Sequence, residues 1–172
     1  MVKEITIERL LSEKKESKEI ITLAQINQEA FHGNKTLASA QQWVKSLLSA
    51  YPVYHYFVIK VNGEVAGYIS WQFHGGFDRE QLVVELEQLA VSKKFQGQGL
   101  ASMLIKRSYG EMLNWIATAN LTATKIVFTV WFYADNENAK AVYQKFFTDG
   151  IQGQRIQYGK PEVMMSLNVS IK

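Results

Sequence analysis

Cysteine is absent from the 172 residues. Disulfides, thiolate catalysis and cysteine-ligated zinc or iron–sulfur sites are excluded together. No apolar run approaches the roughly 20 residues that a membrane-spanning helix needs, so no membrane partner is expected. The start, Met1-Val2-Lys3-Glu4, has no apolar core behind a basic tip. It is not read as a signal peptide, and a cytoplasmic protein is the expectation. The three Asn-x-Ser/Thr triplets, Asn34-Lys35-Thr36, Asn120-Leu121-Thr122 and Asn168-Val169-Ser170, are then read as chance matches. His32, His55 and His74 show no metal-ligand spacing, so they are taken as structural or surface residues and no metal is expected. Charge is nearly balanced, with 19 basic and 16 acidic residues and a net charge of +3. That excess is too weak and too dispersed to argue for nucleic acid.

What is present describes one ordinary globular domain, residues 1–172. Hydrophobic residues make up 47% and charged residues 20%, which excludes wholesale disorder. A chain of this length can bury roughly 70% of its unfolded surface. No repeat, linker or low-complexity stretch divides it.

Residues 3–10 (KEITIERL) alternate as a strand does. Apolar residues at helical spacing predict one helix over 20–31, stopped at His32-Gly33-Asn34, and a second through Leu37, Ala40, Val44, Leu47 and Leu48. Two β-rich runs, 53–61 and 64–73, are joined by Asn62-Gly63, the pair that suits a type I′ hairpin. A strand opening the stretch 82–102, a helix over 100–117 and a strand over 125–133 follow. A short helix from Asp135-Asn136 through Phe146 comes next. Two closing strands, 154–158 and 163–169, flank a turn at Gly159-Lys160-Pro161. The order is β–α–α–β–β–β–α–β–α–β–β. It mixes a hairpin with β–α–β crossovers and predicts an α/β (α+β) fold with a mixed sheet and helices on both faces.

The chemistry concentrates in residues 82–102, LVVELEQLAVSKKFQGQGLAS. Its second half, Gln96, Gly97, Gln98, Gly99, Leu100, Ala101 and Ser102, is a glycine turn opening a helix. Bare N–H groups and the positive end of the helix dipole suit a phosphate there. A Walker loop would need a lysine after the glycines, and a dinucleotide fingerprint would need glycine where Ser102 stands. The pattern that fits is Gln-x-x-Gly-x-Ala. A second group, Asn136, Ala139 and Tyr143, shares about one helical face, with Asn136 at an N-cap position.

In this order, separated by a helix and a strand, the two groups resemble the GNAT superfamily of N-acetyltransferases. Gln96, Gly99 and Ala101 match its acetyl-CoA motif, and Asn136, Ala139 and Tyr143 match its N-x-x-A-x-x-x-Y signature. The likeness runs over about residues 53–147. Glu85-Leu86-Glu87, Trp131 and the run Asn136-Glu137-Asn138-Ala139 look like bacterial polyamine or small-molecule acetyltransferases. The resemblance implies a mostly antiparallel central sheet. One departure stands out: the family's Gly-Phe after the tyrosine is replaced by Phe147-Thr148, then Asp149-Gly150-Ile151, so the following turn is expected to be longer or bulged.

The resemblance implies acetyl transfer from acetyl-CoA to a primary amine by direct attack. An amine with a pKa of about 10.4 must first lose a proton. Glu85 and Glu87 lie on one strand face. Glu85 aligns with the family's frequent base, and Glu87 is the runner-up or a cation-binding group. Leu89, Ala90 and Val91 would offer free backbone groups to the pantetheine arm and thioester carbonyl. Gln96 to Ser102 would hold the pyrophosphate through backbone N–H groups, with Asn136 nearby, and Lys93 and Lys94 more simply solvated. Tyr143 would protonate the departing thiolate. Phe31 with residues 32–35, Trp71, Phe73, Trp131 and Tyr133 are candidate walls for an alkylammonium. The alternatives are acetylation of a protein N-terminus or lysine, and a non-catalytic CoA-binding sensor. A homodimer is expected from relatives.

Overall fold

The computed structural model describes residues 2–14, 16–31 and 36–171. The elements are β1 (Ile5–Leu10), α1 (Lys18–Ala30), α2 (Leu37–Ser49), β2 (Tyr54–Val61), β3 (Glu64–His74) and β4 (Gln81–Val91). Then come α3 (Leu100–Thr118), β5 (Lys125–Tyr133), α4 (Glu137–Tyr143), β6 (Ile151–Gln157) and β7 (Lys160–Ser170). Single 3-10 turns occupy Ser12–Lys14 and Lys93–Phe95. The strands form a seven-stranded sheet in the order β1-β2-β3-β4-β5-β7-β6. β4 and β5 are parallel, while β1/β2, β5/β7 and β6/β7 are antiparallel. This is the mixed, mostly antiparallel α/β architecture that the sequence predicts. The expected helix stop at His32-Gly33-Asn34 lies outside the described residues.

The chain divides into two compact units, and β3 and β4 contribute to both. The first comprises Met1–Trp71 and Gln88–Gly110. Its core forms because α1 and α2 each carry an apolar stripe. Ile20, Leu23 and Ile26 from α1 and Val44, Leu47 and Leu48 from α2 meet Tyr56, Val58 and Tyr68 from β2 and β3. Thr36 caps α2, its Oγ1 accepting from the Ser39 N–H at 3.0 Å, a contact worth about 1 kcal/mol. Asn62 and Gly63 take φ of +50° and +80°, as a type I′ turn demands.

Two buried polar side chains of this unit, Asn27 and His55, are paired, as burial favours. Asn27, fully buried in α1, donates from Nδ2 to Tyr68 Oη at 2.8 Å and to Gln88 Oε1 at 3.2 Å. Tyr68 Oη donates to the same Gln88 oxygen at 2.9 Å. Buried His55 meets Arg9 and the Pro52 carbonyl, and burial, aided by the Arg9 charge, pushes its pKa down to about 3. That is a structural histidine.

The second unit comprises Gln72–Glu87 and Glu111–Lys172. β5 is its spine. It pairs with β7 from Lys125 opposite Ser170 to Tyr133 opposite Glu162. It pairs with β4 from Gln81 opposite Lys125 to Leu86 opposite Val130. Three sequence boundaries move here. α4 ends at Tyr143 rather than Phe146. β6 begins at Ile151, because Asp149 N–H already donates to Ser166 O at 3.1 Å and Ser166 N–H to Gly150 O at 3.2 Å, which draws this turn onto β7. A bulge between Ile151 and Gly153 absorbs the extra residue, the irregularity expected from the Phe147-Thr148 departure. The closing hairpin turns at Tyr158 and Gly159, with φ of +50° and +76°, so Lys160 and Pro161 belong to β7.

Gly67 decides how closely β4 lies to β3. A Cβ built there would stand 2.6 Å from the Ala90 carbonyl oxygen and 3.2 Å from Val91 Cα, both backbone atoms. Gly67→Ala is expected to lose about 1–3 kcal/mol by overpacking. Thermal unfolding should register this as a fall of roughly 2–4 °C per kcal/mol. An unchanged Tm would mean that β4 yields at no cost.

Candidate functional site

The glycine turn belongs to the first unit. Phe95 is buried and anchors it, and its N–H donates to Ser92 O at 2.8 Å. The Gln96 side chain reaches back, Nε2 donating to Val91 O at 3.0 Å, while its backbone N–H goes to Lys93 O at 3.5 Å. Gly97 and Gly99 then take φ of +75° and +74°, a region open to glycine at little cost. The first bond of α3 is Met103 N–H to Gly99 O at 3.2 Å. Among the described residues, the N–H groups of Gly97, Gln98, Gly99, Leu100, Ala101 and Ser102 find no acceptor. Left-handed glycines ahead of a helix N-terminus form a concave set of donors suited to an anion. Nothing lies within 4 Å of a Cβ built on either glycine, so the backbone there is open to approach.

This corrects two expectations. The Gln96 N–H is already engaged, so the open donors begin at Gly97. The Val91 carbonyl is not free, because the Gln96 amide occupies it. Lys94 is also committed, its Nζ lying 2.7 Å from Glu64 Oε2 and 5.0 Å from the Phe95 ring centroid.

The strand carboxylates belong to the second unit. Glu85, opposite Thr129 on β5, accepts from His74 Nε2 through Oε2 at 2.5 Å. Glu87 differs: its Oε2 is buried and has no hydrogen-bond partner among the described residues. Burial, and then the charge of Glu85, push its pKa up to about 7. His74 is the residue that the sequence reading passed over. No motif marks it, and only the fold brings the end of β3 to Glu85.

Asn136 and Tyr143 frame α4. Asn136 Oδ1 accepts from the Ala139 N–H at 3.0 Å, so its side chain is a helix cap. The Tyr143 ring lies 5.5 Å from Phe132 and 6.0 Å from Phe147, centroid to centroid. The residue is half-buried, but its phenol end is desolvated, and burial pushes its pKa up to about 12. It stays protonated near neutrality, and no described residue hydrogen-bonds its hydroxyl.

The aromatic candidates separate. Trp71 is fully buried and donates from Nε1 to buried Ser108 Oγ at 2.8 Å, so it is core and not a ligand wall. Phe73 is buried against Phe77 and Trp115, at 5.0 and 5.3 Å, and is core for the same reason. Phe31 packs on the core of the first unit, while 32–35 lie outside the described residues. Trp131 is half-buried under the Arg155 guanidinium at 4.1 Å, with Arg155 Nε held by Glu162 at 2.6 Å. Tyr133 has Lys160 Nζ 5.4 Å from its ring. Among the described residues, no cluster of three or more His, Cys, Asp or Glu side chains is placed to hold a metal.

The sequence profile of the acetyltransferase (GNAT) family matches residues 20–147. Solved structures give the same fold at low identity. The NatC complex bound to a Gag peptide and CoA contains a chain 13% identical, with a TM-score of 0.72 and coverage of 97% of this chain and 99% of that one. Ard1 from Thermoplasma volcanium is 18% identical, with a TM-score of 0.67 and coverage of 96% and 97%. An aminoglycoside acetyltransferase from an uncultured soil metagenomic sample is 16% identical, with a TM-score of 0.67 and coverage of 90% and 93%. No curated protein matches the sequence. With the family profile covering most of the chain, and with the two motifs at a helix-opening turn and on a capped helix, the chain belongs to the acetyltransferase (GNAT) family and is an N-acetyltransferase.

Proposed function

We propose that this enzyme transfers acetyl from acetyl-CoA to a primary amine of a small molecule or polyamine, with Glu87 as the base. The observation that carries the reading is the Glu87 carboxylate, half-buried with its Oε2 fully buried and unpartnered, on the same strand face as Glu85. Acetyl-CoA supplies the acetyl group as a thioester. The open N–H groups at 97–102 bind its pyrophosphate, and the backbone around Leu89 and Ala90 receives the pantetheine arm.

Glu87 takes the proton of the incoming ammonium, the freed nitrogen attacks the carbonyl carbon, and the carbon–sulfur bond breaks. A lysine-like amine titrates near 10.4, so transfer to a group near 7 is uphill by roughly 5 kcal/mol. An ordinary carboxylate, near 4.3, would make that step steeper still. Burial thus brings Glu87 closer to its task. Tyr143 takes a narrower role than the sequence implies. With its phenol near 12 and a thiol near 8.5, full proton transfer to the thiolate is unfavourable. Tyr143 serves as a hydrogen-bond donor that steadies the developing sulfur charge.

Two carboxylates at the acceptor end favour a cation, which a polyamine or aminoglycoside supplies. Among the similar folds are an aminoglycoside acetyltransferase solved with sisomicin and a NatC complex solved with a peptide. The second of these keeps a peptide N-terminus as the rival acceptor. A thiol-release assay with acetyl-CoA and spermidine, lysine, aminoglycosides or short peptides decides between them. Release with the small cations and not with peptides is expected. Release with peptides alone would transfer the reading to protein acetylation, and binding of acetyl-CoA without any release would favour a sensor.

Two variants test the assignments. Glu87→Gln should lower kcat about 10²–10⁴-fold while acetyl-CoA affinity holds. The pKa of Glu87 is raised, so its basic form is lost as pH falls through about 7. Wild-type kcat/KM should therefore rise with pH through that point, and the limb should vanish in the variant. Gly99→Glu places a charged side chain at a positive-φ position over the open donors and should abolish coenzyme binding. Isothermal titration with CoA measures this, and retained affinity in a folded variant would refute the placement.

A further inference from the structure

Glu85 and Glu87 lie on one strand face, and after burial the charge of Glu85 helps push the Glu87 pKa up. Which member holds the proton depends on which anion is better stabilised. The structure makes the two unequal. Glu85 Oε2 has a ring nitrogen 2.5 Å away, from His74 at the end of β3. Glu87 Oε2 is buried with no partner. The His74 side chain is 44% exposed and that of Glu85 19%, so the histidine bridges Glu85 to solvent. All three residues belong to the same compact unit.

We propose that His74 is a positioning residue that acts through Glu85 on Glu87: its imidazole holds Glu85 as the fixed anion of the pair, leaving the buried Glu87 to take up and return the amine's proton. The inference rests on the reading of Glu87 as the base and extends it to a residue that touches neither substrate. After burial, the same-sign charge of Glu85 is what pushes the Glu87 pKa up. His74 enters from the neighbouring strand, bonded to the far side of that charge. Without it the Glu85 anion loses its donor. The pair then binds its shared proton more tightly, and the proton is split between two carboxylates instead of residing on one.

The carboxyl titration reads the enzyme directly, so that part of the test does not depend on knowing the acceptor. Glutamate carboxyl signals are followed by NMR against pH in the isotopically labelled full chain, with Glu85→Gln and Glu87→Gln supplying the assignments. His74→Ala should raise the higher titration of the pair by roughly one unit. His74→Gln, which keeps an N–H donor, should leave it near the wild-type position. With spermidine as acceptor, His74→Ala should lose about tenfold in kcat/KM below the titration and recover it at high pH. A merely structural loss would not recover.

An unmoved carboxyl titration in folded His74→Ala, with Glu85→Gln still lowering that of Glu87, would overturn the role of His74. A loss in His74→Ala that neither high pH nor the Gln variant rescues would overturn it too. A wild-type Glu87 that titrates as an ordinary carboxylate would instead defeat the base assignment itself, and the two failures are told apart in the same spectra.

Discussion

A strand must satisfy its main-chain polar groups along its whole length, and β4 meets that demand differently at its two ends. Over Gln81 to Leu86 it is held by a parallel ladder to β5, whose last pair is Leu86 with Val130. Beyond that pair other devices take over. Gly67 lets β3 approach the Ala90 carbonyl, Ser92 N–H donates to Ala66 O at 2.8 Å, and the Gln96 amide closes on Val91 O. The change of partner delivers the chain into the turn where six N–H groups stay open. It also leaves Glu87 just past the end of the ladder.

Desolvation acts alike on two groups of different chemistry. Glu87 and Tyr143 both lie where burial disfavours the anion, and both are pushed upward. For the carboxyl this raises the pKa to about 7. For the phenol it yields a donor that stays protonated. One physical cause brings the two groups to different pKa values because they start from different ordinary values, 4.5 and 10.0.

The sequence made much of the fold legible. Asn62-Gly63 named its own turn, because left-handed φ at two consecutive residues narrows the choice. The stripes of α1 and α2 predicted a buried face, and Asn136 announced a cap. Legibility failed where long-range pairing decides. β6 starts early because β7 captures residues 149 and 150, and nothing local to Ile151 says so. Trp71 and Phe73 looked like ligand walls because an aromatic at strand spacing carries no mark of which side it faces. Burial made both of them core.

Alone, then, the sequence determined the family, the order of elements and the glycine turn. These depend on periodicity, turn chemistry and short spacings, all local in the chain. Tertiary structure decided the surroundings of the acidic and polar groups. Glu85 and Glu87 are equivalent in sequence, two residues apart on one face. They became different only when β3 brought His74 to one and the fold buried the other without a partner. The charge state of a carboxylate is set by what surrounds it in space, and that surrounding comes from residues distant in the chain.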